Sequence, residues 1–295
     1  ADGKVEIAVG TESQGQGHET SLTQIAAGKL GLPPSVFRYV QADTAATRMG
    51  HGHGGARTMH MGGGALARAL DAVLAKAAPL AAELLQAEAG DVTFEAGRFH
   101  AASSGQSVAL LEVARAARER DVAGQGLDSF VHVMDAPFTF PNGCHAAEVV
   151  VDPDTGGVEL LHYTICDDYG QLINPKLTEG QVVGGVAQGI GQALGELVLY
   201  DSGTGQLLTG SLMDYLVPRT GLMPEFRVQL EGAPTAANPL GVKGSGQAGA
   251  IAGAQTVVNA VLDALAPLGV DHLDMPLTAE KIWRAIAVAR QDTRA

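Results

Sequence analysis

Apolar and polar residues alternate through Val5-Glu6-Ile7-Ala8-Val9, the period of a half-buried strand. Leu22, Ile25, Ala26 and Leu30 then recur at helical spacing, and Ser21-Leu22-Thr23-Gln24 has the spacing of a capping box. Gly31 closes that helix, Pro33-Pro34 blocks its return, and Val36 to Val40 reads as a second strand. An Ala/Leu helix follows over 65–86, with Pro79 as a candidate break. Val92-Thr93-Phe94 and Arg98-Phe99-His100 flank Ala96-Gly97 as a hairpin, and Ser107 to Arg120 is predicted helical. One strand is expected at Ser129 to Val133. Two strong ones, Cys144 to Val151 and Gly157 to Cys166, flank a turn at Asp152 to Gly157. Asn174-Pro175 opens a helix running to about Leu194, with Asn as N-cap and Pro at the first position. A turn at Asp201 to Gly205, a strand near Phe226 to Leu230, and helices at Ala250 to Leu265 and Thr278 to Ala289 complete the chain. This mixture predicts an α+β fold of two lobes over 1–295, with the boundary near 135–140.

Composition narrows the chemistry. Hydrophobic residues make up 46% of 295, enough for a packed core, and 39 glycines call for many tight turns and close backbone approaches. Aromatic content of 4% argues against stacking platforms for nucleic acid, and a net charge of −13 repels phosphate backbones. Anions would have to be held by backbone N–H groups. Cys144 and Cys166 are too few and too far apart in sequence for an iron–sulfur or structural zinc site, and are expected as free buried thiols of a reduced compartment. No apolar run suggests a membrane span and no signal-peptide pattern opens the chain, so membrane insertion is not expected. A cytoplasmic location is expected, or a periplasmic one if a partner carries the chain across. The abrupt start in a strand suggests part of a larger architecture, a split gene product or a cleaved precursor.

Gly244-Ser245-Gly246-Gln247-Ala248-Gly249 spells G-x-G-x-x-G, but no strand precedes it directly and no second strand follows, so a dinucleotide fold is not expected. Lys243 lies ahead of the turn, out of frame for a P-loop. His51-Gly52-His53, with His60 near, suits a ligand-lining loop better than a metal site. Asp167-Asp168 reads as a hydrogen-bonded turn ahead of the Asn174 cap. Four polar, glycine-rich segments remain: Gly15 to His18, Gly50 to Met59, Gln181 to Gln192 and Lys243 to Gly249. Glutamines recur in or beside them at Gln14, Gln16, Gln181, Gln188, Gln192 and Gln247. Amides that donate and accept, beside bare backbone, suit a large polar heterocycle with phosphates. In the 175–194 helix, Gly180, Gly184, Gly185 and Gly189 are expected to form one bare face against something flat.

Gly10 to Thr20, Asp167 to Pro175, Glu179 to Leu194 and Leu240 to Gly249 resemble the molybdopterin-binding large subunit of the xanthine oxidase family. The likeness spans nearly the whole chain. It is to the C-terminal half of that subunit, in the branch with aerobic carbon monoxide dehydrogenase, aldehyde oxidases and N-heterocycle hydroxylases. The resemblance implies a two-lobed molybdenum-cofactor-binding domain and a molybdenum–molybdopterin cytosine dinucleotide, with molybdenum held through the pterin and not by side chains. It implies cofactor contacts at Gln16, Gly17, His18, Arg57, Thr58, Gln181, Gln188, Gly189, Lys243, Gly244, Ser245 and Gly246. It also implies a partner supplying the N-terminal half, an iron–sulfur subunit, a flavin (FAD) or haem-carrying cytochrome subunit, and a small-molecule substrate. The implied reaction is hydroxylation of an aldehyde or N-heterocycle with oxygen from water. The family's catalytic base is a glutamate in G-x-G-E, and this chain has Gln247 there. An amide takes no proton at useful pH. Another base, a reaction that needs none, or a silent cofactor-binding or scaffold paralogue each account for Gln247.

Overall fold

The computed structural model describes residues 3–47, 49–121, 126–134 and 136–292. They form two compact units. The first takes residues up to 140 together with Pro234–Gly244, and the second takes Pro141–Ala233 with the residues from 245 on.

The first unit opens with β1 (Val5–Ala8), α1 (His18–Leu30) and β2 (Phe37–Val40). β1 and β2 pair in parallel, Val5 with Phe37 through Ala8 with Val40. α1 starts ahead of the expected capping box. Ser21 lies inside the helix, where its hydroxyl donates back to the Gly17 carbonyl at 3.4 Å and caps nothing. A π-helical turn, Thr58–Gly63, leads into α2 (Gly64–Leu85), which runs through Pro79 without ending. β3 (Val92–Glu95), β4 (Arg98–Ala101) and β5 (Ser107–Ala109) make an antiparallel sheet ahead of α3 (Leu110–Arg120). Ser107 therefore starts a strand and not the expected helix. The helix begins at Leu110, where the Ala109 N–H donates to the Glu112 carboxylate at 2.9 Å. The strand expected at 129–133 is absent, because no neighbouring segment among the described residues pairs with it. Leu22, Leu30, Leu70, Phe99 and Val113 centre this unit's core.

The second unit is built on β6 (Asn142–Val151), β7 (Val158–Asp168) and β8 (Glu225–Glu231). β7 lies in the middle, antiparallel to β6 and parallel to β8. Asp152 closes the β6–β7 turn by accepting from Thr155 Oγ1 at 2.7 Å and the Asp154 N–H at 2.9 Å. α4 (Pro175–Leu194), α5 (Ala248–Leu265) and α6 (Ala279–Asp292) complete the unit, with Tyr163, Val186, Val257 and Ile282 in its core. Asn174 caps α4 as expected, accepting from the Leu177 N–H at 3.0 Å. Contrary to expectation, Ala248–Leu268 is long and apolar enough to cross a membrane by length and composition. Here its Val257, Val261 and Leu265 lie in the core. Cys144 and Cys166 are exposed, not buried, and the ladder sets them directly opposite each other.

The α4 glycines do not form one face. A Cβ at Gly185 would sit 2.8 Å from the Ala250 nitrogen, and one at Gly189 2.6 Å from the Ala254 nitrogen. From the other helix, a Cβ at Gly249 would sit 2.2 Å from the Val182 carbonyl oxygen. These glycines bring the two helices into backbone contact. At Gly180 and Gly184 a Cβ would meet nothing within 4 Å. A step of about 100° per residue turns 180 and 184 away from 185 and 189. Gly189 thus packs against the α5 backbone.

Gly249→Ala is expected to cost about 1–3 kcal/mol by overpacking. Gly184→Ala is expected to leave stability unchanged or raise it by up to about 1 kcal/mol, since alanine favours the helix and has room. Urea denaturation of the two variants beside the parent chain reads both values.

Candidate functional site

In the first unit three glycine-rich loops converge. Gly10 and Gly50 pack backbone on backbone, since a Cβ at Gly10 would fall 2.2 Å from the Met49 carbonyl oxygen. The His51 N–H donates to the Gly10 carbonyl at 3.0 Å and fixes the approach. At the far end of the second loop a Cβ on Gly244 would meet the Ala56 Cβ at 2.5 Å. Residues 234–244 reach this place as a self-braced loop. Asn238 accepts from the Leu240 and Val242 N–H groups at 3.2 Å each, and its amide donates to the Val242 carbonyl at 2.8 Å. Gly63 and Gly64, where the π-turn meets α2, leave room for Leu240 and Pro239.

Gly17 is the N-cap of α1 with φ 76°, a left-handed conformation that favours glycine, and no side chain caps the helix. The first N–H groups of α1 thus keep the partial positive charge that attracts anions and electron-rich oxygens. Gln16 turns back into its own loop, accepting from Ser13 Oγ at 3.3 Å and from the Gln14 N–H. His18 Nδ1 lies 3.1 Å from the Glu12 carbonyl. Arg57 folds over its loop and donates from Nε to the Gly54 carbonyl at 2.5 Å and from Nη1 to the His51 carbonyl at 3.4 Å. Thr11 and Thr58 are buried, and neither hydroxyl has a partner. Lys243 is half-buried beside the buried Gly244.

In the second unit Gln181 donates to the Gly246 carbonyl at 2.7 Å, which ties α4 to the loop ahead of α5. Gln181, Gly184 and Gln188 follow one another at i, i+3 and i+7, and so share one side of α4; Gly184 and Gln188 are exposed. Gln247 is the N-cap of α5, exposed, and its amide makes no cap hydrogen bond. Ser245 is half-buried and Gly246 exposed. No strand follows α5 among the described residues, so G-x-G-x-x-G here is not set in a βαβ unit. Among the described residues no group of three or more His, Cys, Asp or Glu side chains is placed to hold a metal ion.

Sequence reasoning missed a buried polar chain in the second unit. His145 and Asp167, with side chains 3% and 4% exposed, face each other at 3.1 Å. His145 Nδ1 lies 3.0 Å from the Tyr163 hydroxyl, and the Tyr169 hydroxyl donates to Asp167. Burial pushes the pKa of the Tyr163 hydroxyl up to about 12, against a lowering hydrogen bond with Thr256. Asp168 accepts from the Gly170 and Ala233 N–H groups at 2.7 and 3.2 Å, so it is a turn former and an anchor for the end of β8. Only the register of β6 on β7 could have exposed the His145–Asp167 contact.

Residues 1–224 match the family model described as a molybdopterin cofactor-binding domain. The carbon monoxide dehydrogenase large chain of Hydrogenophaga pseudoflava is 34% identical over 282 residues, covering 94% of this chain and 35% of that one. The nicotine 6-hydroxylase large subunit of Paenarthrobacter nicotinovorans is 38% identical over 293 residues, covering 96% and 35%. The crystal structure of quinoline 2-oxidoreductase from Pseudomonas putida 86 matches with a TM-score of 0.87 and 37% identity, covering 97% of this chain and 37% of that one. This chain belongs to the molybdopterin cofactor-binding family of xanthine oxidase-type large subunits. It spans about a third of the length of the curated relatives it matches.

Burial holds His18 and His60 below the ordinary histidine value of 6.5; for His18 the Glu12 carbonyl offsets part of this, and for His60 the Ala56 backbone does. A histidine kept neutral by the fold contributes stability in full above its unfolded value and loses it as pH falls from about 6.5 through the lowered folded-state value. The melting temperature is therefore expected to drop between about pH 7.5 and about pH 5. The drop should be smaller in the double variant His18→Gln, His60→Gln, measured by thermal scans at both pH values. An equal drop in both chains would assign it to carboxylates.

Proposed function

We propose that this chain is the cofactor-binding part of a molybdenum hydroxylase-type oxidoreductase. Family membership supports this reading, and one observation carries it: the glycine-rich segments of the first unit meet around an uncapped α1 and two buried, unpartnered threonine hydroxyls. These features fit a group rich in phosphate and amide functions. Gln16, Gly17, His18, Arg57, Thr58, Lys243 and Gly244 of the first unit would contribute to holding it. Gln181, Gln188, Gly189, Ser245 and Gly246 are the contacts that family membership suggests within the second unit. When bound, a molybdenum–pterin group supplies two-electron oxidation and reduction. Backbone N–H groups at Gly17 would bind its anionic or oxygen-rich parts, and Arg57 would add a fixed positive charge. The pterin would carry a cytosine dinucleotide.

The reaction we assign is hydroxylation of an aldehyde or N-heterocycle with oxygen from water. Electrons would leave through an iron–sulfur partner subunit, with a flavin or cytochrome subunit beyond it. The remainder of the large subunit would pack with these residues. The second unit carries an ordered arm that suits such a partner. Residues 197–222 expose Tyr200 at 63%, Leu212 at 76% and Met213 at 93%. The arm is nonetheless braced, Leu208 N–H to the Leu199 carbonyl at 2.8 Å and the Tyr215 hydroxyl to Glu196 at 3.2 Å.

Gln247 favours a second reading, a paralogue that binds the cofactor and turns nothing over. Its amide can orient a substrate through a donor and an acceptor but cannot take the proton that a carboxylate would.

The chain produced with its partner polypeptides is expected to carry molybdenum by elemental analysis, and to release cytidine monophosphate on acid treatment. A complex with neither would overturn the assignment. Arg57→Ala should lower the pterin retained through gel filtration. Gln247→Glu should raise turnover of an aldehyde and heterocycle panel by about 10²–10⁴ where the reaction needs a carboxylate base. No change would show that another group carries the proton.

A further inference from the structure

Cys144 on β6 and Cys166 on β7 are direct partners in the antiparallel ladder, and both are exposed. Residues so opposed project from the same face, with Cα atoms about 4.5–5.5 Å apart. That spacing falls within the roughly 4.4–6.8 Å that disulfides span without backbone movement. On this face the neighbouring rows are Ala146 opposite Thr164, both exposed, and Asn142 opposite Asp168, while Gln229 of β8, also exposed, lies beside Cys166. A tripeptide-sized molecule therefore has access to the sulfurs. On the other face of the same strands, His145 and Asp167 are buried and in contact, which holds β6 and β7 together behind the thiols. No part of the cofactor reading uses this pair.

We propose that Cys144 and Cys166 are a modification site, a dithiol that closes reversibly into a cross-strand disulfide by exchange with a low-molecular-weight disulfide. The thiolate of one cysteine attacks a sulfur of the small disulfide, forming a mixed disulfide and releasing one small thiol. The second cysteine, as thiolate, attacks the protein-side sulfur of that mixed disulfide and releases the other small thiol. The protein loses two electrons and two protons, and the small disulfide gains them as two thiols. The ladder holds the second sulfur next to the first, so the closing step is intramolecular and outruns attack by a second small disulfide.

The full chain is treated with excess glutathione disulfide and followed by intact mass and by maleimide labelling without reductant. The expected product has lost two hydrogens and holds no glutathione. Both cysteines should become inaccessible to maleimide together, peptide mapping should place the cross-link between Cys144 and Cys166, and dithiothreitol should restore both thiols. Cys144→Ser and Cys166→Ser should each retain one glutathione on the remaining cysteine, having no neighbour to expel it. The proposal is overturned if the wild-type chain ends with one or two stable glutathione adducts, with disulfide-linked dimers as the main product, or with both thiols still free. The mapping on the wild-type chain decides the matter without the variants.

Discussion

α4 and α5 meet backbone to backbone, and the second unit is arranged around that contact. With Gly185 and Gly189 on one helix and Gly249 and Gly253 on the other, no side chain keeps the axes apart. The approach fixes where α5 begins, and so where Gln247 stands. It also brings the Gln181 amide within reach of the Gly246 carbonyl. A helix pair set by backbone contact has little freedom to slide, because any shift drives a carbonyl into a Cα. Gln247 is therefore carried at the start of a helix held in backbone contact with its neighbour, although its own side chain is exposed.

The sequence and the structure agree most where local chemistry decides. Asn174-Pro175 starts α4, Asp152 closes the β6–β7 turn, and the paired strands around it stand where alternation puts them. Disagreement falls where a distant partner decides. Ser129 to Val133 has the residues of a strand but, among the described residues, no neighbour to pair with. Ser107 begins a strand because Arg98 to His100 lies ready to receive it. Glycine spacing showed that α4 has bare faces. It could not show that one of them is taken by a second glycine-bearing helix far along the chain. The cysteines mislead for the same reason, since sequence distance hides a cross-strand partner.

The segments of the candidate site were legible as composition before their roles were. Glycine with glutamine signals close backbone approach beside amides, and the loops of the first unit do meet through glycines. Individual side chains were not legible. Gln16 and Arg57 turn onto their own loops, where they brace backbone. In a chain of net charge −13, that division suits anion holding. Fixed N–H groups add attraction without adding cations, and loop-bracing side chains keep those groups aimed.

The exposed arm at 197–222 leaves apolar side chains uncovered. Its turns are closed by its own hydrogen bonds, and it holds Leu212 and Met213 out in solvent. Burying Leu212 and Met213 against themselves would mean breaking those turns. A chain that exposes them has one ready remedy, association. Chain concentration would for that reason matter as much to the yield of soluble protein as stability does.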